Sequence, residues 1–381
     1  MIYADNAATT KLNREAFEAM APFLLDNYAN ASQPYSFARK VRKVKKALKE
    51  SRKIIAESIH AEPEEIFFTS GGTESDNWAI KNYCPQTDIR HIITSPIEHH
   101  AILNACKSTA YNSQISLLTV DSKGIVSVKS LEKFLTAPQE TVSSSKSTLV
   151  SVMLANNEIG TIQPIKELCN IAHKNSAYFH TDAVQAVGHI PIDVKTLDVD
   201  MLSASAHKFN GTKGIGFLYI KKSLGIIQPF HDGGMQESGL RAGTEDVASI
   251  VAMAHALKSN CDNMKRNMNH LKMLEDVVIS ILNNEHVDYL RNGTNQLPGN
   301  VNLSFKGVEG EMLLHRLDLK GICVSTGSAC DSQNQKATHV IEAIGVPDEY
   351  KYGTIRLSFG SENTLDEAKT IANAIISILR S

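Results

Sequence analysis

The chain has 381 residues, 42% of them hydrophobic and 21% charged, with a formal net charge of −2. That length suits two domains better than one small core, and the balanced charge offers no general basic surface for nucleic acid. No apolar run approaches the roughly 20 residues of a membrane span, and MIYADNAATT lacks the basic-then-apolar pattern of a leader, so a soluble, cytoplasmic protein without membrane or direct nucleic-acid partners is expected.

Residues 39–53, RKVRKVKKALKESRK, place Val41, Val44 and Leu48 at helical spacing, which predicts an amphipathic helix with a solvated basic face. From there short apolar runs alternate with helical patterns. EIFFTS, RHIITS, TLVSVML, AYFHTD and VDMLSA read as strands; ESDNWAIKNY, EHHAILNACK, PIKELCNIAHK and DAVQAV have helical spacing. Such alternation predicts an α/β fold, a mostly parallel sheet covered by helices on both faces, with functional groups at the strand C-terminal ends. TVSSSKST, residues 141–148, reads as a low-complexity surface loop. After Ile220 the chain turns polar and Gly-rich, then a long amphipathic helix is expected from about Val247 to Leu282. PGNVNLSF, GICVST and GTIRLSF read as strands of a smaller α+β domain. The expected division is 15–260 for the large domain and 261–381 for the small one, with residues 1–14 packing on the latter.

The six cysteines, Cys84, Cys106, Cys169, Cys261, Cys323 and Cys330, form no CxxC pair, and no His/Cys spacing suggests a metal site. Other residues carry chemistry at strand ends. In FFTSGGTES, Gly71 and Gly72 let the backbone approach a phosphate at a helix start, and Thr73 adds a hydroxyl. Asp182 follows an apolar strand; it is either a helix cap or the partner of a protonated ring nitrogen, with Gln185 on the same face. Lys208, in SASAHKFNG, follows another apolar strand directly. An amine in a partly desolvated strand-end site loses its proton easily enough to attack a carbonyl. Lys213 competes for that role, but it sits in a glycine turn, and Lys208 is favoured. Ser205 and His207 flank Lys208 as donors to a phosphate.

These stretches carry a resemblance. SGGTESDN (70–77), IEHHA (97–101), ANNEIGTIQPI (155–165), HTDAVQAVG (180–188), SASAHKFNGTKGIG (203–216), GLRAGTED (239–246) and STGSAC (325–330) occur in this order between YADNAATT and TIRLSF. The chain thereby resembles cysteine desulfurases of the NifS/IscS type, fold-type-I pyridoxal-phosphate enzymes built on a seven-stranded sheet. The resemblance implies that Lys208 holds pyridoxal phosphate covalently, that Asp182 meets its ring nitrogen and Gln185 its ring hydroxyl, and that His99 stacks on the ring. It assigns the phosphate to Gly72, Thr73, Ser205 and His207, with Thr244 reaching the phosphate site of a second subunit of a homodimer. Arg356, Asn157 and Asn30 would bind the substrate, and Cys330 would take the sulfur of L-cysteine as a persulfide for an acceptor protein of iron–sulfur assembly or tRNA thiolation. Residues 29–35, ANASQPY, depart from the family's Gly-Asn-Pro-Ser-Ser-x-His: Ala31 stands for Pro, Gln33 for the second Ser and Tyr35 for His. A selenocysteine lyase or another enzyme of this fold would share Lys208 and Asp182 without needing Cys330, and a sulfur-relay scaffold would turn over only with a partner.

Overall fold

The computed structural model describes residues 1–35, 37–82, 91–110, 113–137, 148–225, 228–327 and 337–380. All but the last residue of the TVSSSKST stretch lies outside the described residues. The strands are, in chain order, β1 (Ile2–Tyr3), β2 (Ile66–Thr69), β3 (His91–Thr94), β4 (Gln114–Leu117), β5 (Thr148–Ser151), β6 (Tyr178–Asp182), β7 (Met201–Ser205), β8 (Gly216–Ile220), β9 (Tyr289–Asn292), β10 (Asn300–Phe305), β11 (Ile322–Cys323) and β12 (Thr354–Ser358).

Seven of these form one sheet in the order β2-β8-β7-β6-β5-β3-β4. The run from β7 to β4 is parallel, while β8 pairs antiparallel with both β7 and β2. The reversal has a simple cause. Residues 206–215 between β7 and β8 are too few for a crossover helix, so the chain must return as a hairpin. Lys208 therefore lies in a hairpin connection, where a short 3₁₀ turn, Ala206–Lys208, carries it off the end of β7.

Helices cover the sheet. Arg39–Ser58 buries Val41, Val44, Ala47 and Ile55 and turns its lysines outward, the amphipathic pattern that the sequence carries. Arg14–Leu25, which the apolar pattern did not reveal, starts at Asn13, whose side chain accepts from the amides of Glu15 and Ala16. DAVQAV is not a helix. Asp182 accepts from the Val184 amide, Ala186 and Val187 both turn back to the Ala183 carbonyl, and Gly188 at φ +78° ends the turn.

The helix Val247–Asn284 serves two cores. Its first turns give Ile250, Met253 and Leu257 to the core beneath the large sheet; Leu271, Leu274, Val278 and Leu282 enter a second core. That second core lies on the antiparallel sheet β12-β10-β9 and the helices Gly310–Asp318 and Leu365–Leu379. GICVST contributes no strand to that sheet. Ile322 and Cys323 pair in parallel with β1, which brings Ala4 into the same core, and Ser325 makes a single antiparallel bridge to Arg356 on β12.

At the edge of the large sheet remote from the site, His173 ties the helix Ile165–Lys174 to the connection before β7. Its Nδ1 lies 3.2 Å from Asp198 and its Nε2 2.9 Å from Asp200, with Cys169 below and Lys221 on the far oxygen of Asp198. The Asp200 hydrogen bond, then the Cys169 contact, raise the imidazole pKa to about 10. A raised pKa means that the folded state binds the proton more tightly. The stabilisation is complete below about pH 6.5 and disappears as pH rises through about 10. His173→Gln should therefore melt below the wild type at pH 6.5, and the gap should close by pH 10. A gap that is constant with pH would show that the clamp does not depend on the imidazolium.

Candidate active site

The C-terminal ends of β2, β3, β5, β6 and β7 open on one cavity of about 300 Å³. Its lining brings together Gly72, Thr73, His99, Asn157, Asp182, Gln185, Ser205, His207, Lys208 and Arg356. Two residues implied by the resemblance are elsewhere. Asn30 is in a turn, where its side chain accepts from the Ser32 amide, and Thr244 borders a neighbouring depression with Ser70, Glu237 and Arg241. Cys330 lies outside the described residues; Gly327, just before it in the chain, reaches the cavity wall.

Lys208 is half-buried, and its Nζ donates to the carbonyls of Ala7 (2.6 Å) and Ala8 (2.8 Å). Burial, then the Arg356 charge, lower its pKa to about 8, so a sizeable fraction of the amine is neutral near physiological pH. Lys213 is exposed and does not line the cavity. On the strand next to β7, Asp182 is 5% exposed and accepts from the Val184 amide at 2.9 Å. Burial pushes its carboxyl upward, against the pull of that amide and of the Lys208 charge. Behind it, Asp76 is also buried, its Oδ1 has no hydrogen-bond partner among the described residues, and burial, then the Asp182 charge, raise its pKa.

Packed on the turn that follows Asp182, Gly72 opens the short helix Gly72–Asn77, and a Cβ there would lie 2.6 Å from a methyl of Val184 and 3.6 Å from Ser205. Only glycine lets the two strand ends come this close. His99 caps the helix His100–Thr109 by accepting from the Ala101 amide at 3.1 Å. Its ring keeps an exposed edge, yet desolvation by the surrounding protein and then the Lys208 charge lower its pKa to about 4, leaving it neutral. His207 holds Thr9 Oγ1 at 3.1 Å, and Gln185 donates to the Ala7 carbonyl at 3.0 Å. Arg356, on β12, is 2% exposed; it donates to the Asn157 carbonyl at 2.8 Å and to Asp5 at 2.6 Å.

The donor set fits pyridoxal phosphate. A buried carboxyl raised by desolvation is suited to a ring cation, a proton-poor lysine to the aldehyde, and the Thr73, Ser205 and His207 side chains beside a glycine-only approach to the phosphate. Sequence reasoning missed the carbonyls of Ala7 and Ala8, which no side-chain pattern encodes, and the acids Asp5, Asp76 and Glu98. Glu98 is fully buried, raised to about 8 by burial, and bonded to Ser95 and to the Met153 amide.

The family model for aminotransferase class-V matches residues 2–371. The chain is 44% identical to a cysteine desulfurase IscS of Clostridium botulinum, over 100% of this chain and 94% of the relative. It is 46% identical to a cysteine desulfurase IscS of Dictyoglomus turgidum, over 96% and 91%. Among solved structures, a NifS-like protein superposes with a TM-score of 0.89 at 34% identity, over 100% of this chain and 99% of that one. A NifS-like protein from Rickettsia africae gives 0.87 at 31%, over the full length of both. Sequence and fold agree over the whole length, and the chain belongs to the aminotransferase class-V family, among its cysteine desulfurases of the NifS/IscS type.

Proposed function

We propose that the chain is a pyridoxal-phosphate-dependent cysteine desulfurase, which takes sulfur from L-cysteine and releases L-alanine. The observation that carries this reading is the pairing, in one cavity, of a lysine amine lowered to about 8 with a buried aspartate on the adjoining strand. Bound between them, pyridoxal phosphate would supply the electron sink that acidifies the substrate's Cα proton. Lys208 Nζ is then the base for that proton, because an amine with a pKa near the operating pH both accepts and returns it. Asp182 keeps negative charge at the ring-nitrogen end, Gln185 serves the ring hydroxyl, and neutral His99 covers the ring. Arg356, with Asn157, orients the substrate α-carboxylate. Cys330 takes the sulfur as a persulfide, and alanine leaves with a proton where the sulfur was.

In this reading the division between the cofactor-holding part, residues 15–260, and the smaller part, residues 261–381 joined by 1–14, falls inside the helix Val247–Asn284. The two cores that this helix serves support it. The active form is a homodimer in the cytoplasm, with Thr244 reaching the partner's cavity, and the persulfide passes to an acceptor protein of iron–sulfur cluster assembly or tRNA thiolation. Among the described residues, no helix is long and apolar enough to cross a membrane.

The test incubates the protein with pyridoxal phosphate and L-cysteine and measures alanine and sulfide with and without a thiol reductant. Cys330→Ser should keep the cofactor's visible band, because cofactor binding does not use residue 330. Alanine formation should fall by about 10²-fold or more, and the persulfide mass shift should vanish, since a hydroxyl is a poor nucleophile toward sulfur at neutral pH. Wild-type alanine output from this variant would make Cys330 a bystander and favour the selenocysteine-lyase reading.

A further inference from the structure

Arg356 meets the cavity with a carboxylate already on it. Its Nη2 donates to Asp5 Oδ1 at 2.6 Å and its Nη1 to the Asn157 carbonyl at 2.8 Å, while Nε is out of solvent reach and has no hydrogen-bond partner among the described residues. The main chain that carries Asp5 is fixed in place. Its carbonyl accepts from the Ala8 amide at 3.0 Å, and the amides of Asn6 and Ser358 lace its flanks to β12 at 3.0 and 2.7 Å. Both charges also act on Lys208, Arg356 lowering and Asp5 raising the affinity of its amine for the proton, so all three share one electrostatic neighbourhood.

A buried guanidinium needs a counter-charge, and here Asp5 provides it. An α-carboxylate arriving at the same guanidinium becomes the second anion on one cation. It gains hydrogen bonds but little net attraction, because the Asp5 charge opposes it at short range. Tight binding of substrate and product alike would raise no rate constant and would slow the departure of the product. Resting on the assignment of the substrate carboxylate to Arg356, we propose that Asp5 is a built-in competitor for that arginine. It is a positioning residue that aims the guanidinium while keeping its affinity for amino acids low enough for alanine to leave.

The test titrates the visible band of the bound pyridoxal phosphate with L-alanine and with ethylamine, which is the same amine without the carboxylate. In Asp5→Asn and Asp5→Ser, L-alanine should bind about tenfold more tightly relative to ethylamine than in the wild type, the ratio cancelling the action of Asp5 on Lys208 that both amines share. KM for L-cysteine should fall in step, without a rise in kcat. Asp5→Glu keeps the charge and should keep the wild-type preference. L-Alanine binding that is unchanged or weaker relative to ethylamine in a neutral variant with an intact band overturns the proposal, as does equal tightening of both ligands. If Asp5→Glu tightens L-alanine as Asn does, geometry rather than charge is responsible, and the proposal falls. Arg356→Lys separates the two layers. Should it bind both ligands as the wild type does, the carboxylate assignment itself fails. Should it lose L-alanine alone while the neutral Asp5 variants change nothing, Arg356 stands and only the competitor role is lost.

Discussion

Lys208→Ala should lose the visible band of bound pyridoxal phosphate and at least about 10⁴-fold in alanine formation. Two contributions disappear together: the covalent hold on the aldehyde and the base that moves the Cα proton, the latter alone worth about 10²–10⁴-fold in enzymes generally. The position explains why a neighbour cannot substitute. Lys208 Nζ sits under the Ala7 and Ala8 carbonyls at the cavity wall, whereas Lys213 is exposed in the glycine turn. Borohydride reduction of the wild type followed by peptide mapping should find the cofactor on Lys208, and Lys213→Ala should behave as wild type. A tag on Lys213 would mean that the wrong amine has been identified.

Asp182→Asn should fold and bind the cofactor but lose roughly 10²-fold or more in turnover. The amide keeps the size and the hydrogen bond from the Val184 amide, yet carries no charge to hold a ring nitrogen protonated. Burial works against that charge in the free cavity, where it pushes the Asp182 carboxyl upward. A ring cation would reverse the balance. The variant's visible band should accordingly shift with pH at a lower midpoint than that of the wild type, which a purely structural loss would not produce. Near-normal alanine output from Asp182→Asn would remove Asp182 from the assignment.

Much of this was legible because β2, β3, β5, β6 and β7 are covered on both sides. Strands in that position must be apolar nearly throughout, so each stands out as a run ended by a polar residue, and those polar ends are the site. The edge strands β4 and β9 were not legible for the same reason. β4 exposes Gln114 and Leu117, and β9 is half-buried at most of its positions, so neither has a continuous apolar run. The antiparallel turn of β8 follows from a short connection rather than from its composition. GICVST looked like a strand of the smaller sheet because its apolar residues are buried, but burial there serves the pairing with β1. In the candidate site, the residues at the strand ends were readable, whereas the acids Asp5, Asp76 and Glu98 and the backbone were not. Nothing in the letters of Ala7 and Ala8 says that their carbonyls will accept from a lysine.

The segment that carries those carbonyls also sets an order of events. β1 pairs with β11, Ala4 enters the second core, Thr9 and Thr10 hold His207, and Asp5 reaches across 351 residues of chain to Arg356. At about 5–20 residues per second of synthesis, residues 2–10 leave the ribosome roughly 20–70 s before β12 does. Once Ile220 has emerged the sheet from β2 to β8 can form, but until β12 follows the wall of the cavity lacks Arg356. A nascent chain therefore acquires its sheet before the last side chain of its cavity, and a chain clipped ahead of β12 keeps Lys208 and Asp182 but loses the guanidinium that faces them.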